Sequence, residues 1–255
     1  GGTDCINMPE IGYGNFRKKS LAWATRFSFE NCSMILPVAE ALVSQHYTYD
    51  SQINPKQGLL QLIPGLKTPI QVIPNGFDTE FWKDLGIERV KQSFISVATH
   101  TSTPARARVK GYDLIAKLAA KNPDWSFTLV GDANYQATSP NIRVVGKERP
   151  EALVQLYNTH EYYLQLSSSE GFPNALGEAM ACGCVPIGSA VGAIPEIIGD
   201  TGLLLKRKAL GALQQLIQDW LEGKTKLTSP RARIERYFTY DHRRKLLLRA
   251  LSLKD

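Results

Sequence analysis

The sequence predicts an α/β protein built on a doubly wound parallel sheet. Between about Ser93 and Leu205, short apolar runs alternate with stretches of helical periodicity. Such alternation is typical of strand–helix–strand units, in which parallel strands are covered by helices on both faces. The apolar runs, such as SFTLV at residues 126–130, have the composition of strands buried from both sides. We therefore expect a Rossmann-like domain in this part of the chain.

Each element of this domain is predicted from its local pattern. Strands are expected at residues 93–99, 126–130, 141–145, 161–166, 184–188 and 202–205. Helices are expected at residues 112–121, 150–158, 174–181, 195–198 and 208–221. In the first helix, Leu114, Ile115 and Leu118 share one face. Pro150 suits the first turn of the second helix, and Gly183 follows the third as a common helix terminator.

The first ninety residues have a different pattern. Helices are expected at residues 16–29, 39–45 and 54–62, and strands at residues 33–37 and 70–73. Because two strands cannot form an open doubly wound sheet, we interpret this part as the back half of a first domain. The expected organisation is a partial first domain and linker start at residues 1–78, a Rossmann-like domain at 79–228, and a basic crossover helix at 229–255.

Composition excludes several classes of protein. The 255-residue chain has 43% apolar and 21% charged residues, which excludes a wholly disordered or fibrous chain. No stretch approaches the ~18 apolar residues that a membrane span needs. The formal charge of +6 suits phosphate-bearing ligands or an anionic membrane surface. Nucleic acid is not expected, because the basic residues form no stripe interleaved with aromatic residues.

The cysteines indicate neither a metal site nor a disulfide framework. Cys5, Cys32, Cys182 and Cys184 contain no C-x-x-C pair, and the last two are too close for a common zinc site. We expect all four to be buried, small, apolar side chains.

The sharpest functional signal is the loop SSSEGFPN, which follows the predicted strand at 161–166. Ligands of open parallel sheets bind at the carboxyl ends of the strands. The expected site is therefore formed by the loops at residues 99–110, 131–135, 146–149 and 167–174. Glu170 comes just after a strand, and Glu178 lies one turn into the next helix, on the same face as Asn174.

The start of this helix is a natural anion site. Free backbone N–H groups around Asn174 and Ala175 point out of the helix, and the helix dipole favours negative charge there. Gly171 allows the backbone to approach a ligand closely. A phosphate at this point, with Glu178 accepting from ribose hydroxyls and Glu170 from sugar hydroxyls, fits a nucleotide sugar. The plainer interpretation is a capped helix with two solvated glutamates.

Four stretches together resemble the retaining glycosyltransferases of family four, which have the GT-B fold. The donor-binding signature of that family is similar to SSSEGFPNALGEAMACGCVPIGSAVGAIPEIIGDTGLLL. The segment that enters its second domain is similar to PIQVIPNGFDTEFW. Two further stretches are similar to family segments: VKGYDLIAKLAAKNPDWSFTLVGD and RPEALVQLYNTHEYYLQLSSSEGFP. The resemblance covers roughly residues 33–245.

The resemblance implies a role for each matching position. Glu170 contacts the transferred sugar, Lys110 neutralises the leaving diphosphate, and Glu178 binds the ribose hydroxyls. Gly146 and Lys147 lie in the loop that usually recognises the base. The backbone segment that holds the distal phosphate and the sugar in that family corresponds here to Gly171, Phe172, Pro173, Asn174 and Ala175.

One family feature is absent from the expected place. The family usually has a Gly-Arg pair after the first strand of this domain, whereas this strand ends in Ala98-Thr99-His100. We expect Arg106 or Arg108, from the longer loop that follows, to take the place of that arginine. The sequence has no Asp-x-Asp pair, and the reaction scheme of the family requires no metal, so no metal or cofactor is expected.

The expected function is transfer of a sugar from a nucleotide-diphosphate sugar, with retention, to a glycan or a lipid-linked sugar. The expected location is the cytoplasm, with peripheral contact at the inner face of the membrane. The alternative is a nucleotide-sugar-binding module, or an incomplete fragment, that binds donor without turnover. A sugar-nucleotide epimerase of the same fold would need a carboxylate and histidine constellation that we do not find. The base, the sugar and the acceptor stay open.

Overall fold

The structure is a computed structural model that describes residues 2–252. Apart from one twelve-residue helix, the described part of the first ninety residues contains short regular elements. Three 3-10 turns come first, at Gly2–Cys5, Pro9–Ile11 and Asn15–Arg17. The helices and strands that follow are α1 (Lys19–Glu30), α2 (Glu40–Val43), β1 (Gln45–His46), β2 (Lys56–Gln57) and α3 (Leu59–Leu62), with β1 and β2 antiparallel.

A six-stranded parallel sheet forms the core of the next part. Its strands are β3 (Val90–Val97), β4 (Ser126–Val130), β5 (Ile142–Val145), β6 (His160–Gln165), β7 (Val185–Ser189) and β8 (Leu203–Leu205). The helices between and after them are α4 (Pro104–Val109), α5 (Tyr112–Lys121), α6 (Pro150–Thr159), α7 (Asn174–Ala181), α8 (Ile194–Ile198) and α9 (Leu210–Leu221). Two more helices complete the described chain: α10 (Pro230–Tyr237) and α11 (Tyr240–Ser252).

The strand order is β5-β4-β3-β6-β7-β8, and every neighbouring pair is parallel. The chain runs from β3 outward to β5, returns to the middle, and then runs outward through β6 to β8. The direction of winding therefore reverses between β3 and β6. Ligands of such sheets bind at this switch point, at the carboxyl ends of the strands. The predicted doubly wound sheet is confirmed.

The elements of this part have nearly the predicted bounds. Strand β4 and helices α5 and α7 begin and end where predicted, and the other predicted ends differ by no more than three residues. Helix α4 is an addition, because it lies inside the segment predicted as a loop at residues 99–110. Pro104 occupies its first turn, where a missing N–H costs nothing.

Several predictions for the first ninety residues are wrong. The strands expected at 33–37 and 70–73 reduce to one parallel bridge between Ile35 and Ile70. Pro37 and Pro69 lack the backbone N–H that a longer ladder would need. The helices expected at 39–45 and 54–62 shrink to α2 and α3. Gly58, with φ of +93°, lies outside helical geometry immediately before α3.

The cysteine prediction is confirmed for three residues and wrong for one. Cys5, Cys182 and Cys184 are buried, and all four cysteines are free thiols. Cys32 is exposed, because it follows the C-terminus of α1, a helix with no buried residue. No helix within residues 2–252 combines the length and apolar character needed to cross a bilayer.

The C-terminal helices hold the linker, the segment that runs from residue 74 to the start of the sheet domain, against that domain. In α10, the guanidinium of Arg231 donates hydrogen bonds to three backbone carbonyls, at distances of 2.8 to 3.1 Å. Two of these carbonyls belong to Thr79 and Trp82 in the linker, and the third belongs to Ala181 at the end of α7. One side chain thus joins the tail, the linker and the helix that follows the predicted ligand loop.

Helix α11 makes a similar contact nearer the N-terminal end of the linker. Nη1 of Arg243 donates to the carbonyl of Pro74 at 2.6 Å and to Oδ1 of Asn75 at 2.8 Å. The backbone N–H of Phe77 donates to the carbonyl of Phe238, between the two tail helices, at 2.8 Å. The tail, expected as a basic crossover helix at 229–255, contains α10 and α11, and both pack on the linker. Residues 253–255 of that prediction lie outside the described residues.

Replacement of Arg231 should destabilise the fold. Arg231→Ala removes a charged donor from three carbonyls that then lack a partner, and we expect a loss of about 2 kcal/mol. Urea denaturation followed by circular dichroism measures this loss. The matched control is Arg249→Ala, on the exposed side of α11. Equal transition midpoints for the two variants would contradict the role given to Arg231.

Candidate functional site

Loops from four strands meet at the carboxyl edge of the sheet, as predicted. The backbone N–H of Gly131, after β4, donates to the carbonyl of Gly146, after β5, at 3.1 Å. Asp132 accepts from the backbone N–H of Ser102, in the loop after β3, at 2.8 Å. The N–H of Ser168, after β6, donates to the carbonyl of Val109 at 2.7 Å. The four loops thus form one continuous surface.

Lys110 and Glu170 meet at the switch point between β3 and β6. Nζ of Lys110 lies 2.6 Å from Oε1 of Glu170, and the two side chains are 22% and 11% exposed. Oε1 also accepts hydrogen bonds from Ser167 Oγ at 2.8 Å and from Gln165 Nε2 at 3.1 Å. Glu170 is therefore a largely buried, oriented carboxylate, not the solvated glutamate of the plainer interpretation.

A close backbone contact brings Lys110 to this position. Gly111, the next residue, has φ of +75°, and a Cβ added to it would lie 2.1 Å from the carbonyl oxygen of Leu166. Only glycine fits both the left-handed conformation and this approach. The segment that carries Lys110 consequently lies directly on the end of β6, five residues before the glutamate.

The loop after Glu170 is held by a backbone hydrogen bond and leads into a helix whose first turn has no side-chain cap. The backbone N–H of Ala193 donates to the carbonyl of Gly171 at 3.1 Å. Helix α7 begins at Asn174 after an extended Pro173, with no side chain capping its first turn. Asn174 is exposed, and Ala175 is half-buried. The helix start therefore faces solvent with N–H groups available to an anion.

Glu178 lies on the inner side of α7. Its Oε2 accepts a hydrogen bond from the hydroxyl of Tyr157 at 3.3 Å. Burial raises the pKa of Glu178 from 4.5 to about 7, and the Tyr157 hydrogen bond opposes this rise. Glu178 is thus a second carboxyl group held in a partly desolvated environment.

The two glutamates lie close to one buried phenol. Burial raises the pKa of Tyr163 well above its usual range, and the charges of both Glu178 and Glu170 raise it further. The Tyr163 ring packs edge-on against Tyr157, with ring centroids 5.9 Å apart. Glu170 and Glu178 therefore both lie near enough to Tyr163 of β6 to act on its hydroxyl group.

The remaining predicted residues lie in the loops around this centre. Gly146 lies beside Gly131 at the ends of β4 and β5, and Lys147 is exposed. Phe172 stacks on Phe77 of the linker, with ring centroids 6.2 Å apart. Pro173 is buried directly before α7.

The two candidate arginines face the first part of the chain. Arg106 lies over the ring of Tyr13, 6.0 Å from its centroid, and Arg108 donates to Gln52 Oε1 at 3.1 Å. Among the hydrogen bonds and ion pairs of the described residues, none joins either arginine to Glu170. A diphosphate role for Arg106 or Arg108 stays a prediction.

The polar residues of β6 that support the site were not predicted from the sequence. Tyr163 and Gln165 lie two residues apart and so point to the same face of the strand. Both side chains are buried. A glutamine between two leucines, Leu164 and Leu166, at the end of a central strand is the signal that could have identified Gln165. Within residues 2–252 no cluster of three His, Cys, Asp or Glu side chains is placed to hold a metal ion.

Solved structures identify the class of fold as GT-B. Sucrose-phosphate synthase from Thermosynechococcus elongatus matches with a TM-score of 0.72 at 19% identity, over 93% of this chain and 63% of that one. Anabaena HepE, solved in complex with UDP-glucose, matches with a TM-score of 0.68 at 17% identity, over 91% of this chain and 67% of that one.

The particular family follows from a family model. The model described as "Glycosyl transferases group 1" matches residues 101–237, and the chain belongs to this family. N-acetyl-alpha-D-glucosaminyl L-malate synthase of Bacillus anthracis is 26% identical over 216 residues, 76% of this chain and 51% of the relative. D-inositol 3-phosphate glycosyltransferase of Corynebacterium aurimucosum is 29% identical over 183 residues, 59% of this chain and 43% of the relative. The chain spans about half the length of these curated relatives.

The raised pKa of Glu178 predicts a pH-dependent stability. A native pKa of about 7, against 4.5 as the ordinary value, means that the folded state binds this proton more tightly than the unfolded state. The wild type should therefore lose stability as pH rises from about 4.5 to 7. Glu178→Gln removes this loss, so the variant should gain about 2–3 kcal/mol relative to wild type between pH 5 and pH 8.

Urea denaturation of the wild type and Glu178→Gln at pH 5, 6, 7 and 8 measures the difference. Glu151→Gln, at an exposed position in the first turn of α6, is the matched control. A difference between Glu178→Gln and wild type that does not change with pH would contradict the desolvation of this carboxyl group.

Proposed function

We propose that the chain binds a nucleotide-diphosphate sugar and is the donor-binding part of a glycosyltransferase. The observation that carries the proposal is the Lys110–Glu170 pair, 2.6 Å apart, at the switch point of the sheet and next to the open start of α7. A fixed cation and a helix dipole suit a diphosphate, and an oriented carboxylate suits sugar hydroxyls. Membership of the glycosyl transferases group 1 family supports the same assignment.

The chemistry of transfer explains these residue types. Cleavage of the bond between sugar and diphosphate places negative charge on the leaving group and positive charge on the sugar ring. Lys110 and the N–H groups at the start of α7 stabilise the leaving diphosphate. Glu170 lies beside Lys110 and stabilises the charge that develops on the ring. No step of this scheme requires a metal ion.

The nucleoside part of the donor fits the other predicted residues. Glu178 accepts hydrogen bonds from the ribose hydroxyls, and Gly146 and Lys147 lie where the base is recognised. The backbone from Gly171 to Ala175 holds the distal phosphate and the sugar. We further propose transfer with retention of configuration to a glycan or lipid-linked acceptor, at the cytoplasmic face of the membrane.

A second candidate is a module that binds donor without turnover. The positions of Arg106 and Arg108 favour it, because these arginines contact Tyr13 and Gln52 in the first part of the chain. A site with Lys110 alone has less positive charge for the leaving diphosphate than one with an additional arginine. Release of free nucleoside diphosphate from the donor, measured for the whole protein, separates a transferase from this module.

The donor assignment predicts selective loss of binding at Glu178. Glu178→Ala should weaken nucleotide-sugar binding by about 1–3 kcal/mol, because charged hydrogen bonds to the ribose are lost. Isothermal titration at pH 8, with UDP-glucose, UDP-N-acetylglucosamine, GDP-mannose and ADP-glucose, measures the affinity. The control is Glu151→Ala on the exposed face of α6. A wild-type chain that binds none of these donors, or unchanged affinity in Glu178→Ala, would count against the assignment.

Glu170 should act mainly on the sugar. Glu170→Ala removes the partner of Lys110 but leaves the ribose site and the helix start intact. We expect the affinity for the nucleotide sugar to fall more than the affinity for the free nucleoside diphosphate. Parallel titrations with UDP and UDP-glucose, and with GDP and GDP-mannose, test this. Equal losses for both members of a pair would place Glu170 outside the sugar subsite.

A further inference from the structure

Gln165 connects the carboxylate of Glu170 to the interior of the protein. It is the last residue of β6 and is 6% exposed. Its Nε2 donates to Glu170 Oε1 at 3.1 Å and to Ser167 Oγ at 2.9 Å. Its Oε1 accepts from the hydroxyl of Tyr163 at 3.2 Å. A buried amide with three partners has little rotational freedom.

The chemistry of these partners fixes the orientation of the amide. A carboxylate only accepts hydrogen bonds, so the NH₂ group of Gln165 must face Glu170. The amide oxygen then faces Tyr163, whose hydroxyl donates to it. Ser167 donates its own proton to Glu170 at 2.8 Å and accepts from Gln165. The directions of all these hydrogen bonds agree with one another.

The result is a carboxylate with two unlike oxygens. Oε1 of Glu170 accepts hydrogen bonds from Gln165, Ser167 and Lys110. None of the hydrogen bonds among the described residues reaches Oε2. With Oε1 saturated by donors, Oε2 is the oxygen that remains for a hydroxyl group of a ligand.

Lys110 alone would not give this orientation. Its side chain is 22% exposed, and a bound diphosphate competes for the same ammonium group. Gln165 and Ser167 are fixed at the end of β6, since Ser189 Oγ donates to the carbonyl of Ser167 at 2.6 Å and lies 3.3 Å from that of Gln165. They therefore hold the Glu170 carboxylate in place whether Lys110 pairs with Glu170 or with a diphosphate.

We infer that Gln165 is a positioning residue that sets the discrimination between a sugar-bearing nucleotide and the free nucleotide. It acts through Glu170, by holding Oε1 and presenting Oε2 to the transferred sugar. The inference rests on the proposed function, because it needs Glu170 to face the sugar. It adds a residue of β6 that lies outside the loop and helix carrying the two glutamates.

The test compares affinities for UDP and UDP-glucose, and for GDP and GDP-mannose, by isothermal titration on the full chain. In Gln165→Leu, the affinity for the free nucleotide should stay within about twofold of wild type. The preference between sugar-bearing and free nucleotide should shift by about fivefold, the equivalent of one neutral hydrogen bond. The double variant Tyr163→Phe/Gln165→Leu also removes the Tyr163 hydroxyl, which lacks an acceptor in the single variant. It replaces the single variant in the test if that variant folds poorly.

The matched control is Gln57→Leu. Gln57 is also fully buried and donates to two backbone carbonyls, those of Asn7 and Asn54, but it has no contact with Glu170. A general loss of packing would therefore affect Gln57→Leu as well, whereas a positioning role would alter the preference in Gln165→Leu alone.

A double-mutant cycle identifies the route of action. If Gln165 acts through Glu170, adding Gln165→Leu to Glu170→Ala should change the preference no further. Additive changes, or an unchanged preference in Gln165→Leu, would overturn the inference while leaving the proposed function standing. A wild-type chain that binds neither nucleotide pair would overturn both.

Discussion

The site depends on the adjacency of β3 and β6 in the middle of the sheet. Lys110 and Glu170 are sixty residues apart in the chain, and they meet because the direction of winding reverses between these two strands. The contact of Gly111 with the carbonyl of Leu166 then brings the lysine segment onto the end of β6. In a parallel sheet wound in one direction, neighbouring connections leave to the same side of the sheet and no crevice forms between them. The reversal leaves this edge open for a ligand.

The acidic groups of the site carry different energetic costs. Glu170 has three hydrogen-bond donors on one oxygen. Glu178 has one hydroxyl donor, and burial raises its pKa to about 7. The folded protein therefore contains a carboxyl group whose negative charge its own donors only partly compensate. Such a group gains most from a ligand that brings its own hydroxyl donors.

The structure could be predicted from the sequence where the local signals agreed with one another. The strands and helices from β3 to α9 were predictable because apolar runs, glycines and prolines all indicate the same elements there. The two glutamates were predictable because strand, loop and helix place them at a carboxyl edge. In the first ninety residues the helix predicted at 16–29 corresponds to α1, Lys19–Glu30. The other elements there were not predictable, since Pro37 and Gly58 limit elements that the apolar pattern favours. Gln165 was not predicted because its role appears only when β6 and the loop after it fold together.

Asn75 joins three separate parts of the molecule through its side chain. Its Nδ2 donates to Oδ1 of Asn174 at the start of α7, at 2.8 Å, and its Oδ1 accepts from Arg243 of α11, also at 2.8 Å. The tip of α7, the linker and helix α11 are therefore joined by hydrogen bonds to a single side-chain amide. A change at Asn75 would disturb the contacts of all three at once.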